Sequence, residues 1–144
     1  MTPALPDILM GQFVALSTPL PPEAGGDYAA GRTGMLAMLA ILGAQEAERG
    51  IAVRLWENAA IRDLFAGVAA DCDDALGGRL AAAAVDTDTR YEWAALDAAN
   101  AELRRLLIDL HEAVEARGDA PRDRAILGLY ADMARERRLV LPTG

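Results

Sequence analysis

Apolar residues recur every three to four positions along most of the chain, which is the period of an α-helix. The clearest series lies in the second half, and a single polar residue, Asn100, interrupts it. Its members are Trp93, Leu96, Asn100, Leu103, Leu107, Leu110 and Val114. This spacing predicts one buried helix face. Within that face, the Asn100 amide must find hydrogen-bond partners, and we expect it to fix the packing register.

Two further series follow each other between Asp27 and Leu76. The first consists of Met35, Leu39, Leu42, Glu46, Arg49, Val53 and Trp56, and the second of Ile51, Leu55, Asn58, Ile61, Phe65, Val68 and Cys72. A helix of roughly 50 residues is unusually long for a globular protein. We therefore expect this region to be kinked or broken near Gly50–Asn58. In that case Glu46 and Arg49 would lie at an exposed helix end, and Asn58 would cap the next helix.

Proline and glycine mark the other breaks. Residues 17–26 contain three prolines and two glycines and predict a connector, and Gly77-Gly78 and the stretch from Gly118 to Pro121 predict two more. The segments between them predict helices at about 5–16, from Asp27 onward, from 86–88 to 117, and from 121 to 138. No strand pattern competes. The expected fold is all-α, an antiparallel helical bundle of about four to five helices forming a single domain over residues 1–144.

The composition excludes several classes of chemistry. The 144 residues include no Lys and only one each of His, Cys and Ser. Phosphate-binding loops of the Walker A type, lysine Schiff bases, paired-histidine zinc sites and disulfides within the chain are therefore absent. His111 flanks the third series, one turn before Glu115, which is typical of a boundary or surface histidine. We expect no catalytic residue, no cofactor and no metal, so that binding is favoured over enzymatic activity.

Charge and hydropathy bear on partners and location. The net charge of −8 disfavours nucleic acid. The basic group Arg135, Arg137 and Arg138 suits the last turn of a helix, with an anionic partner as the alternative. The longest uncharged helical run, Thr33 to Gln45, is too short to cross a membrane, which takes about 20 residues. No basic start precedes an apolar stretch, so we expect a cytoplasmic protein that does not associate with membranes.

Polar residues near the middle of all three series suggest a shared layer. Mid-helix positions of an antiparallel bundle can meet at one level, where such folds build ligand sites. The candidate ligand-binding layer consists of Glu46, Arg49, Glu57, Asn58, Arg62, Asn100 and Arg104. In an enzyme or small-molecule binder, Glu46 would serve as an acid or base, and the arginines would hold an anion.

Small residues line another side of the long helical region. Gly31, Gly34, Gly43 and Ala47 leave room for a second backbone, either within the chain or in a dimer. Together with the high apolar content, this face favours a protein that acts by binding, as a homo-oligomer. The alternative is a small-ligand binder or enzyme that uses the polar layer.

Overall fold

The computed structural model describes residues 5–18 and 27–141, and these form five α-helices with no strand among them. The helices are α1 (Leu5–Ser17), α2 (Asp27–Val68), α3 (Asp74–Val85), α4 (Trp93–Arg117) and α5 (Ala120–Glu136), with a 3₁₀ turn at Ala69–Asp71. The prediction of an all-α helical bundle is confirmed. Within the described ranges, no helix is both long and apolar enough to span a bilayer.

The chain divides into two compact units. The first comprises residues 1–50 and 138–144, and the second comprises residues 51–137. The expected single domain stays a prediction. The predicted break in α2 is wrong, because the helix continues through residues 50–58. Glycine inside a helix costs only about 0.5–1 kcal/mol, and the Asn58 amide bonds side chains of other segments instead of capping a helix. The boundary between the units nevertheless falls in the predicted range, at Gly50.

The second unit has a core of large apolar side chains from the end of α2 and from α3, α4 and α5. Fully buried members include Ile61, Phe65, Leu80, Leu96, Leu107, Leu110, Val114 and Ile126. The predicted face of α4 is confirmed from Leu96 to Val114. Trp93 is the exception: its ring is partly exposed, and the Arg54 guanidinium lies 4.0 Å from the ring centroid.

The first unit buries a different face of α2 from the predicted one. Met35 and Leu39 are 64% and 65% exposed, so their predicted burial is wrong. Among the described residues of this unit, the buried apolar ones are Ala37, Ala40 and Ala44, spaced three and four apart on one helix face. Small side chains allow a neighbouring helix to approach closely. Helix α1 does approach this part of α2, and none of its own residues is buried.

Two of the glycine positions that predict helix breaks have different roles in the structure. The predicted break at Gly77-Gly78 is wrong, since both residues lie inside α3. A Cβ on Gly77 would lie 2.6 Å from the carbonyl oxygen of Ala69, so the glycine allows α3 to pack against the 3₁₀ turn. The predicted break at Gly118 is confirmed: its left-handed backbone (φ 66°) ends α4.

Aspartate side chains cap the starts of α3 and α5, whereas the start of α4 depends on an aspartate that bonds elsewhere. Asp73 caps α3 by accepting from the backbone N–H of Leu76 at 2.8 Å, and Asp119 caps α5. Helix α4 begins at Trp93, later than predicted, because the Asp88 carboxylate bonds α2 side chains rather than the backbone of a new helix. Residues 19–26 of the predicted first connector lie outside the described residues.

Candidate functional site

Four of the seven predicted layer residues come together in the second unit. Glu57, Asn58 and Arg62 lie on α2, and Asn100 lies on α4. The Asn100 Nδ2 donates to Glu57 Oε2 at 2.9 Å and to Asn58 Oδ1 at 3.0 Å. Glu57 and Asn58 are completely buried, and Asn100 is 3% exposed. Asn58 and Asn100, the two polar residues that interrupt the apolar series of α2 and α4, are therefore in contact, as the sequence predicted.

Arg137, which the sequence reasoning assigned to a helix dipole, completes one end of this group. It follows the last residue of α5, and its side chain turns inward. Its Nε donates to Glu57 Oε1 at 2.5 Å, and an NH2 group donates to Glu57 Oε2 at 2.6 Å and to Asn100 Oδ1 at 3.0 Å. This two-pronged arrangement is the strong geometry for an arginine–carboxylate pair. A buried Glu57 requires a counter-charge, and that requirement was the available signal for Arg137.

Asp88 completes the other end, although the sequence indicates only a helix start at 86–88 and gives no sign of this contact. Its carboxylate accepts from Asn58 Nδ2 at 3.1 and 3.2 Å and from the two terminal nitrogens of Arg62 at 2.8 and 3.1 Å. The hydrogen bonds from Arg62 hold the pKa of Asp88 below its usual value. Burial opposes this shift, while Asn58 and the charge of Arg62 add to it.

These six residues form one continuous hydrogen-bonded chain, which we call the polar cluster. In order they are Arg137, Glu57, Asn100, Asn58, Asp88 and Arg62. Two arginines balance two carboxylates, so the cluster carries no net charge. Its amide oxygens and amide nitrogens all have partners within the cluster, so a ligand entering it would have to displace existing hydrogen bonds. Among the described residues, the one buried side-chain polar atom without a partner is Arg62 Nε.

The other three predicted layer residues lie elsewhere. Glu46 is half-buried and Arg49 is exposed in the first unit, where Arg49 donates to the carbonyl oxygen of Arg138 at 3.4 Å. Arg104 is exposed on α4, and its charge acts on Tyr130 rather than on the polar cluster. Burial raises the pKa of the Tyr130 hydroxyl, and Arg104 opposes that shift. Ligand binding by the predicted layer stays a hypothesis.

A cavity of about 630 Å³ lies beside the Arg62 end of the polar cluster. Helices α3 and α4 contribute most of its walls, with small or apolar residues such as Ala82, Ala99 and Leu103. Arg79, Asp86 and Glu102 add charges of both signs. Its size is within the range of small-molecule sites.

The first unit carries a large exposed apolar surface. Its residues are Leu5, Ile8, Met10 and Val14 of α1 and Met35, Leu36, Met38 and Leu39 of α2, each 39–65% exposed. We call these eight residues the apolar surface. A groove of about 560 Å³ runs between the two helices, lined mainly by Leu9, Leu16, Leu36 and Leu39. Groups of exposed large apolar side chains on a protein surface are typical of interaction sites.

The small-residue face divides into a packed part and an open part. A Cβ on Gly43 would lie 3.5 Å from Leu9 Cδ1, so this glycine packs against α1. Cβ atoms on Gly31 and Gly34 would have no heavy atom of another described element within 4 Å. The open pair lies within one turn of Met35, so it adjoins the apolar surface.

Comparison with protein-family models found no match, and comparisons with curated proteins and with solved structures found none either.

Proposed function

We propose that this protein acts by binding and that it self-associates through the apolar surface of its first unit, with a second copy of the chain as the occupant. The observation that carries the proposal is the exposure of Met35, Leu36, Met38 and Leu39 on α2 beside the equally exposed apolar side chains of α1. A helix that is apolar nearly all round, as α1 is, requires cover on more than one side.

The size of the surface suits a dimer. Eight large side chains exposed by 39–65% present an apolar area of several hundred Å². A standard interface takes about 800 Å² from each partner. Burying one such side chain contributes roughly 1.5–3 kcal/mol when it is covered completely. A two-fold contact between these helices would bury part of this area, and each side chain that it covers adds to the driving force for a dimer.

Charge favours a second copy over a lipid surface. Helices that bind membrane surfaces carry Lys or Arg on their polar face. Helix α1 has no basic residue and has Asp7 in its first turn, and the only basic residue between 5 and 48 is Arg32. Two copies of a surface with so few charges meet with little repulsion. The overall charge of −8 likewise supports the absence of nucleic acid from the proposed partners.

Gly31 and Gly34 support close contact between helices of two copies. Among the residues that the structure describes, no other element lies within 4 Å of the position of a Cβ at either glycine, which leaves room for a partner helix at the α2 backbone. Glycine inside a helix is unfavourable by about 0.5–1 kcal/mol relative to alanine. Close packing against a partner helix offsets that loss.

Light scattering coupled to size-exclusion chromatography tests the proposal. We expect a mass of about twice 15.3 kDa at micromolar concentration. The double variant Met35→Gln, Leu39→Gln should be monomeric, because it places two amides in the proposed interface. The matched control is Ile108→Gln, which replaces an apolar residue of the second unit that is 51% exposed, and it should keep the mass of the dimer. A monomeric wild-type protein contradicts the proposal, as does a dimer that the double variant leaves intact.

Small-ligand binding is a second candidate, favoured by the cavity of about 630 Å³ beside the polar cluster, which Arg62 and charged residues of both signs help to line. A thermal-shift screen against nucleotides, acyl-CoAs and carboxylates tests it, because a ligand at 100 times its Kd stabilises a protein by about 2.7 kcal/mol. Substituting Ala82→Leu narrows the cavity from α3 and should remove any such shift. Retention of the shift in that variant would place the ligand elsewhere.

We place the protein in the cytoplasm as part of the proposal. Its one cysteine, Cys72, is a free thiol, as is usual for proteins of a reducing compartment. Localisation of a fluorescent fusion tests this placement.

A further inference from the structure

His111, Glu115 and Asp123 bring one nitrogen and two carboxylate oxygens together on the surface of the second unit. His111 Nε2 lies 2.9 Å from Asp123 Oδ1 and 3.9 Å from Glu115 Oε1. All three potential ligand atoms lie within 4.8 Å of one another. From this geometry we propose that the three residues bind a divalent transition-metal ion of the zinc class.

The helix hairpin formed by α4 and α5 holds these groups in place. His111 and Glu115 are one turn apart on α4, so they share a face of that helix. Gly118 ends α4 and Asp119 caps α5, and this short turn returns the chain so that Asp123 faces His111. The Tyr130 ring packs against the imidazole at a centroid distance of 5.7 Å and limits its rotation. His111 and Asp123, which already contact each other across two packed helices, therefore lose little freedom when an ion binds.

The spacing of the donor atoms fits a small ion. Zinc binds histidine nitrogen and carboxylate oxygen at about 2.0–2.2 Å in tetrahedral geometry, which puts neighbouring donor atoms about 3.3–3.5 Å apart. The two distances from His111 Nε2, 2.9 and 3.9 Å, fall on either side of that spacing. Shifts of about half an ångström complete the arrangement. Glu115 is 65% exposed at its side chain and has the freedom to make them.

The charges around the group also favour a cation. Several other carboxylates of the second unit pair with arginine, including Asp88, Asp97, Asp109 and Asp119. Within the described residues, neither Glu115 nor Asp123 has an arginine at ion-pair distance, and each faces the His111 imidazole instead. Two carboxylates without an arginine partner therefore lie next to one imidazole, and a bound cation would supply the positive charge that the carboxylates of these other pairs receive from arginine.

The donor set indicates the class of ion. An imidazole nitrogen suits Zn²⁺, Co²⁺, Ni²⁺ and Cu²⁺, whereas Mg²⁺ and Ca²⁺ prefer oxygen alone. Three protein ligands leave a fourth position for water. Space for it exists, since a cavity of about 260 Å³ adjoins the site and is lined in part by Glu115 and Asp123. Such a site would overturn the expectation from sequence that the chain binds no metal.

Titration of the full chain with Zn²⁺ by calorimetry, and with Co²⁺ by visible absorption, tests the proposal. We expect one ion per chain, and affinity lower by at least tenfold in Asp123→Asn and in His111→Gln, since even indirect supports of a metal site contribute 10–100-fold. Asp123→Asn keeps the shape of the side chain, and circular dichroism checks that each variant is folded. Mg²⁺ should bind far more weakly than Zn²⁺.

Two controls separate this site from other sources of binding. Glu112→Gln removes a neighbouring exposed carboxylate of α4, and Cys72→Ala removes the only thiol; both variants should bind Zn²⁺ as the wild type does. Three results would overturn the proposal: no saturable binding of one Zn²⁺, unchanged affinity in Asp123→Asn and His111→Gln, or loss of binding in Cys72→Ala.

Discussion

The two compact units differ in whether their large apolar side chains are buried or exposed. The second unit buries large side chains such as Phe65, Leu107 and Ile126, and it encloses a balanced polar cluster within that core. Among the described residues of the first unit, the buried apolar ones are three alanines, while several long side chains of α1 and those of residues 35, 36, 38 and 39 of α2 are exposed. The second unit therefore has a core of its own, whereas the described part of the first unit leaves its large apolar side chains exposed.

This difference shows what helical periodicity can and cannot specify. In α4, the apolar series coincides with the buried face because α2, α3 and α5 surround it. In the first half of α2, Met35 and Leu39 have the same spacing and yet lie on the surface. Periodicity identifies a face that avoids water, and only the neighbouring elements determine whether the same chain covers it.

The largest expected contrast comes from the same substitution in each unit. Leu107→Ala should lower the free energy of unfolding by about 2–5 kcal/mol, since Leu107 is completely buried. Leu39→Ala should change the stability of the monomer by less than about 0.5 kcal/mol, because Leu39 is 65% exposed. Urea unfolding at low protein concentration measures both. Equal losses in the two variants would mean that the units do not differ as described.

Removal of the Arg137 guanidinium from the polar cluster should have the next largest effect on the free energy of unfolding. Arg137→Met leaves the buried Glu57 carboxylate without its counter-charge, and we expect a loss of about 3 kcal/mol, the lower end of the range for breaking a buried pair. The adjacent variant Arg138→Met removes an exposed guanidinium and should stay within about 0.5 kcal/mol. Chemical denaturation compares them, and similar stabilities would contradict a structural role for the Arg137–Glu57 pair.

Glycine substitutions probe how closely each unit is packed. Gly77→Ala forces a Cβ to within 2.6 Å of the Ala69 carbonyl oxygen, and we expect a loss of about 1–3 kcal/mol. Gly34→Ala in the first unit and Gly78→Ala in α3 meet open space, and we expect each to stabilise the monomer by about 0.5–1 kcal/mol. Thermal unfolding at low protein concentration measures the stability of each variant against that of the wild type. A neutral Gly77→Ala would show that α3 does not press against the 3₁₀ turn.

The smallest expected effect is a change with pH in the stability that Asp88 contributes. The pKa of Asp88 is lowered in the folded protein, so its stabilising contribution is complete above the unfolded pKa of about 3.9 and is lost as the pH falls through the lower folded value. The difference in unfolding free energy between wild type and Asp88→Asn should therefore narrow as the pH drops below about 4. Asp63→Asn, on the exposed side of α2, serves as the control, with a small difference throughout. A gap that widens in acid would contradict the pairing of Asp88 with Arg62.

Much of this arrangement follows from local sequence, and the rest depends on contacts between distant residues. The helices, the buried face of α4 and the meeting of Asn58 with Asn100 could be predicted, because each depends on helical spacing. Arg137 and Asp88 could not be assigned by spacing. Both lie just outside helices, and it is their partners on α2 that draw them inward. Likewise, Gly77 resembles a helix breaker in the sequence, and only its distance to Ala69 explains its place inside α3.

Hydrogen exchange measured at two protein concentrations tests the central claim, that the first unit has an apolar surface covered by a second copy. We predict that raising the concentration slows amide exchange in residues 5–17 and 30–41, while exchange in α4 stays the same. Exchange in the first unit that does not depend on concentration, from the submicromolar range upward, would contradict the claim.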